Sequence, residues 1–107
     1  MPYVPKKNRE FIDCWVKQLA DAIRNERTMM APAAQLEADR MTVEAGLLNY
    51  AITTLVLNLM GTPRYWKIAL LTGVLKNVDQ ELYRRVVVPY ERRKCSENGD
   101  VYPEPES

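Results

Sequence analysis

The chain has 107 residues, enough for one domain, and its 47% hydrophobic and 27% charged residues are those of a folded protein. Fifteen Lys and Arg against fourteen Asp and Glu leave a formal charge of +1, so a basic site has to be local and global electrostatics do not point to nucleic acid. There is no histidine, which excludes Ser-His-Asp and Cys-His catalysis, His-ligated zinc and the usual near-neutral general base.

Cys14 and Cys95 share no CxxC spacing and are expected to be free thiols in a reducing compartment. The opening Met1-Pro2-Tyr3-Val4-Pro5-Lys6-Lys7 lacks the apolar run of a signal peptide, so a cytoplasmic location is expected. The most apolar stretch, Leu47 to Met60, spans 14 residues and includes Asn49, Thr53, Thr54 and Asn58. A membrane span needs about 20 predominantly apolar residues, so the stretch reads as a buried helix without membrane contact.

Residues 1–7 read as an N-terminal arm. From Asn8, a plausible cap, Phe11, Ile12, Trp15, Val16, Leu19, Ala22 and Ile23 form the stripe of an amphipathic helix that closes near Asn25. A short helix beginning at Pro32 is one option for the segment that follows. Thr42 then caps a second helix, and Leu47, Leu48, Ala51, Ile52, Leu55, Val56, Leu57, Leu59 and Met60 make it apolar on nearly every side. Such a helix is buried on nearly every side, and a chain this small implies that another copy covers part of it. Gly61-Thr62-Pro63 marks a turn, and a third helix runs from Pro63 through Trp66, Leu70, Val74, Val78, Leu82 and Val86. Gly73 inside it suggests close approach by a neighbouring helix. Pro89 predicts an end or a kink, Gly99 a C-terminal stop, and residues 99–107 an extended acidic tail. The expected fold is all-α: a single domain forming a small three-helix bundle with a proline kink, assembled as a homodimer or homotetramer.

Catalytic chemistry has little to work with. Ser96 and Ser107 are the only serines, and the glycines at 46, 61, 73 and 99 are too scattered for a phosphate-cradling loop. The reading is a protein that is not an enzyme, with no cofactor and no metal site. Asn49 and Thr53, with Tyr50 and Thr54 beside them, place polar groups in an apolar helix. They either hydrogen-bond other helices or line a ligand pocket. The sharpest local feature is Tyr83-Arg84-Arg85-Val86-Val87-Val88-Pro89-Tyr90-Glu91-Arg92-Arg93-Lys94, with five basic residues against one acid. If helix geometry persists through Pro89, Arg85 and Arg92 share a face, as do Tyr83 and Tyr90. Guanidinium groups beside aromatic rings suit a phosphorylated ligand that carries bases. The alternative is a solvated basic turn crossed by the tail acids Glu97, Asp100, Glu104 and Glu106.

Gly46-Leu47-Leu48-Asn49-Tyr50-Ala51-Ile52-Thr53, then Tyr83 to Tyr90, then Glu97-Asn98-Gly99-Asp100-Val101-Tyr102 resemble a family of small uncharacterised phage and bacterial proteins. Its pattern is GELNYxIT, YRRVVAPYE and ENGDVY, and the likeness covers roughly the last 60 residues and the opening Met-Pro-Tyr. Leu47 and Arg92 stand where that pattern has acids, which counts against a ligand contact at either position. In size, helical character, lack of catalytic machinery and Arg-Tyr clustering, the chain is similar in type to phage anti-CBASS sponges, which bind cyclic dinucleotides without cleaving them. That likeness implies a non-enzymatic sponge holding a cyclic nucleotide immune signal between subunits. Arg84, Arg85 and Arg93 would pair with phosphates, Tyr90 and Tyr102 would stack on bases, and Asn49 with Tyr50 would meet a polar edge. The alternative is an oligomeric structural or adaptor protein that binds a host protein. Nucleic acid is disfavoured by the near-neutral charge and the adjacent acids.

Overall fold

Proline and glycine mark most of the helix boundaries in the computed structural model, which describes residues 4–102 and contains no strand among them. The all-α expectation therefore holds. The opening Met1-Pro2-Tyr3 and the tail acids Glu104 and Glu106 lie outside the described residues.

Helix α1 spans Lys6–Met30. It starts ahead of Asn8 because the Pro5 carbonyl accepts the N–H groups of Asn8 and Arg9, both at 2.9 Å, and no side chain caps it. It also runs past Asn25. The residue before a proline is pushed out of the helical region, and Ala31, with φ −137° and ψ 66°, ends the helix one position before Pro32. No helix begins at Pro32; residues 31–36 form a turn in which the Ala34 N–H donates to the Ala31 carbonyl at 3.1 Å.

Helix α2 spans Glu37–Met60, six positions earlier than the Val43 start that a Thr42 cap predicts. The Leu36 carbonyl accepts the Asp39 and Arg40 N–H groups, and Glu37 and Asp39 sit at the positive end of the helix dipole. Thr42 instead donates its hydroxyl to the Ala38 carbonyl at 2.8 Å. Counted from Glu37, α2 is long and apolar enough to cross a membrane, with a mean hydropathy of 1.3 over its most apolar stretch. Core helices of soluble proteins meet the same measure of length and composition.

The chain divides into two units, Met1–Leu59 and Met60–Ser107. In the first, most half-covered helix residues fall on one stripe per helix: Ala20, Ile23 and Arg27 of α1, and Arg40, Val43, Glu44, Leu47, Ala51 and Thr54 of α2, with Val56 off it. Arg27 and Glu44 join the two helices at 3.8 Å, with each side chain only 19% exposed. The Arg27 Nε has no hydrogen-bond acceptor among the described residues. Away from this pair the helices are open. Phe11, Ile12, Trp15, Val16 and Leu19 all face solvent, as do Leu48, Leu55, Leu57 and Leu59, and no described residue is buried. Within one chain α2 is therefore not enclosed on nearly every side, because α1 supplies only one stripe of cover.

The second unit opens on Gly61, whose φ of 62° ends α2. Lys67 donates to the carbonyls of Met60 and Thr62, both at 3.1 Å, placing a cation at the negative end of the preceding helix. Helix α3 runs Tyr65–Leu82, two residues later than Pro63, because Arg64 is extended at φ −140° and ψ 147°. A π-turn follows over Tyr83–Val87, and helix α4 spans Val88–Asn98. Pro89 has no N–H to return to the Arg85 carbonyl. The Val88 N–H reaches back five residues to Tyr83 instead, so the proline enters in the first turn of α4, where a missing donor is tolerated.

The Arg27–Glu44 pair yields a prediction. Glu44→Ala leaves a largely covered guanidinium unpaired and should lower unfolding stability by about 1–3 kcal/mol in chemical denaturation. Replacing both residues by apolar ones, Arg27→Met with Glu44→Leu, should recover most of that loss.

Candidate functional site

Helix α4 repeats Val88, Arg92, Cys95 and Asn98 at spacings of three and four, so these residues share a face. Gly99, at φ 81°, turns the chain back where a side chain would strain the backbone. Asp100 fixes the reversal by accepting the Tyr102 N–H at 3.1 Å on its side-chain oxygen. The returning segment walls a cleft of about 610 Å³ whose lining also includes Tyr83, Glu91 and Lys94. That volume lies in the range of small-molecule sites.

The charges in the cleft differ in freedom. Lys94 is engaged twice, 3.5 Å from Glu97 and 5.7 Å over the Tyr90 ring. Arg92 has no ion-pair partner among the described residues. Glu91 and Asp100 place carboxylates on the same walls, so the cleft offers cations and acceptors together, between the rings of Tyr83 and Tyr102. Cys95 is an exposed free thiol on the same lining, and Cys14 is likewise free and exposed.

Of the seven residues assigned to the ligand from the sequence, Asn49, Tyr50, Arg84, Arg85, Tyr90, Arg93 and Tyr102, only Tyr102 lines the cleft. Arg84 and Arg85 both turn to Glu81, three and four residues before them. The Arg84 hydrogen bond, with help from Arg85, holds the Glu81 carboxyl below its ordinary value of 4.5. Tyr90 lies under Arg93 at 5.8 Å, outside the cleft lining. Asn49 and Tyr50 belong to the first unit. There Thr53 donates to the Asn49 carbonyl and Thr54 to the Tyr50 carbonyl, both at 2.8 Å. The Thr53 and Thr54 hydroxyls of α2 are thus satisfied inside their own helix.

Tyr83, Arg92, Lys94 and Asn98 line the cleft, although the sequence reading assigned none of them to the ligand. The seven-residue spacing of Arg85 and Arg92 equals two turns of a regular helix, but the π-turn between them takes up extra chain. Arg92 is instead brought to the side of Tyr83, nine positions earlier. The signal that could have found the cleft is Gly99, since a reversal there folds Tyr102 onto the α4 face. Among the described residues no group of three or more His, Cys, Asp or Glu side chains could hold a metal ion.

The Glu81 pairing sets a pH dependence. A carboxyl whose folded value is depressed contributes stability that is present above about 4.5 and is lost as the pH falls through the lower folded value. A carbon-detected NMR titration should place the Glu81 midpoint below 4.5. Arg84→Ala should raise that midpoint more than Arg85→Ala does, because the Arg84 hydrogen bond is the largest cause of the shift.

No curated protein and no solved structure matches the chain. A family model does match, over residues 1–101. The chain belongs to the family described as a domain of unknown function, DUF6899.

Proposed function

We propose that the protein is a non-enzymatic binding protein, an assembly of identical subunits that sequesters a phosphate-bearing, cyclic nucleotide immune signal in the cytoplasm as an anti-defence sponge. In this reading the apolar helix faces are covered by other copies, and the bundle is completed between chains with a bend at Pro89. The observation that carries the proposal is the cleft on α4. It sets the rings of Tyr83 and Tyr102, the guanidinium of Arg92, unpaired among the described residues, and the acceptors Glu91 and Asp100 around one space. A nucleotide has three chemically different parts, and each meets a partner of the right kind. Its phosphate pairs with Arg92, its base stacks on a tyrosine, and its exocyclic N–H groups donate to a carboxylate. Arg84, Arg85 and Arg93 flank the cleft in sequence and serve the phosphates of a ligand larger than the cleft itself.

A second reading, an oligomeric adaptor for a host protein, is favoured by the exposed Phe11, Trp15 and Val16 of α1. Salt separates the two. Phosphate uptake weakens with ionic strength at constant assembly size, whereas an assembly locked by basic segment and acidic tail itself loosens.

Native mass spectrometry of the purified protein with a panel of cyclic and linear nucleotides tests the proposal. Whole-number adducts released intact on denaturation are expected, and a clean protein that takes up none of the panel overturns it. Arg92→Ala should weaken uptake by about tenfold to a hundredfold, the value of a hydrogen bond to a charged group, without changing the mass of the assembly.

A further inference from the structure

We infer that the base taken by the cleft is guanine and that Glu91 is the residue that selects it. The inference deepens the nucleotide reading above and rests on it. Glu91 is the single acid in the segment from Tyr83 to Lys94, among five basic residues, and it lines the cleft. It nevertheless makes no ion pair among the described residues. The helix gives the reason. Residues three and four positions away are its neighbours on the helix surface, and on one side these are Val87 and Val88. On the other side are Lys94 and Cys95, and Lys94 pairs forward with Glu97 at 3.5 Å. Arg92 is next in sequence, and adjacent residues on a helix do not face each other.

The second carboxylate of the cleft has a structural task. One side-chain oxygen of Asp100 accepts the Tyr102 N–H at 3.1 Å and holds the chain reversal. Glu91 is the carboxylate left for a ligand. Its two oxygens lie side by side and accept without donating, so they match an edge that presents two adjacent N–H groups. On the Watson–Crick edge only guanine has that pair, the ring N1–H and the N2 amino group. Adenine and cytosine set an amino group beside a ring nitrogen that accepts, and uracil sets its one N–H between two carbonyls. Each of these turns a lone pair toward a carboxylate oxygen.

The rest of the lining is consistent with that pairing. Glu91 and Arg92 are about 100° apart around the helix, so base edge and phosphate are received at different places. Tyr83 and Tyr102 offer rings for stacking. Asn98, two turns beyond Glu91 on α4, has an amide that can donate to the guanine carbonyl oxygen. A cleft serving phosphate alone gains nothing from Glu91, whose charge repels the ligand.

Calorimetric titration of the full-length protein with cyclic diguanylate, cyclic diadenylate and cyclic di-inosinate tests the inference. Inosine is guanine without its amino group. The wild type should hold the diguanylate about tenfold or more above the diadenylate, the value of a hydrogen bond to a charged group, with the di-inosinate weaker than the diguanylate. Glu91→Gln should remove that advantage and leave the diadenylate unchanged or tighter. The sign is diagnostic, because neutralising an acid that merely stands near a phosphate strengthens both ligands alike. Glu91 is exposed, so the variant should keep the helical circular dichroism of the wild type, and Glu91→Ala carries the same expectation if it does not. Equal affinities for diguanylate and diadenylate overturn guanine selection and leave the nucleotide reading standing. A preference that survives Glu91→Gln, or a di-inosinate held as tightly as the diguanylate, overturns the pairing with Glu91. Uptake of none of the three overturns the nucleotide reading and this inference with it.

Discussion

A proline inside a helix has no N–H to give, and the whole C-terminal half of the chain is arranged around that deficit at Pro89. Ending the helix would separate the basic segment from the residues after it. The chain widens instead into a π-turn over Tyr83–Val87 and resumes as α4 with the proline in its first turn. The extra residue in that turn rotates everything downstream relative to everything upstream. Arg84 and Arg85 are left facing back to Glu81, while Arg92 is carried to the side of Tyr83. A regular helix with the same sequence would have put different cations together.

The second constraint is that apolar surface needs cover, and within each unit little is provided. In the first unit the helices touch through one ion pair with an unmatched Nε, and the apolar residues on either side of it are open. In the second, α3 carries an uninterrupted apolar stripe and a glycine that nothing in that unit demands. Within each unit, then, the apolar faces lack cover of their own.

The cleft combines cations with carboxylates and aromatic rings, an arrangement suited to ligands with several kinds of polar edge. A purely anionic site would be lined by cations alone, and a structural ion-pair network would leave no guanidinium free. Arg92 is the group that distinguishes the cleft from its surroundings. Lys94 is shared between Glu97 and the Tyr90 ring, and Arg84 and Arg85 share Glu81.

Helix content and order were legible in the sequence because apolar spacing and the Gly61, Pro63 and Gly99 punctuation are local properties of the backbone. The α1 stripe, the turn after Met60 and the stop at Gly99 needed nothing else. Helix starts were less legible: carbonyls at Pro5 and Leu36 took the role expected of Asn8 and Thr42, a choice between acceptors that spacing does not rank. The site was least legible. Asn49 and Thr53 satisfy one another within a turn of helix, and Arg85 and Arg92 are parted by a change in hydrogen-bond register. By itself the sequence determined that the chain is helical and without histidine chemistry, through periodicity and composition. Tertiary structure alone decided which tyrosine and which arginine meet, because that depends on how far the backbone turns between them.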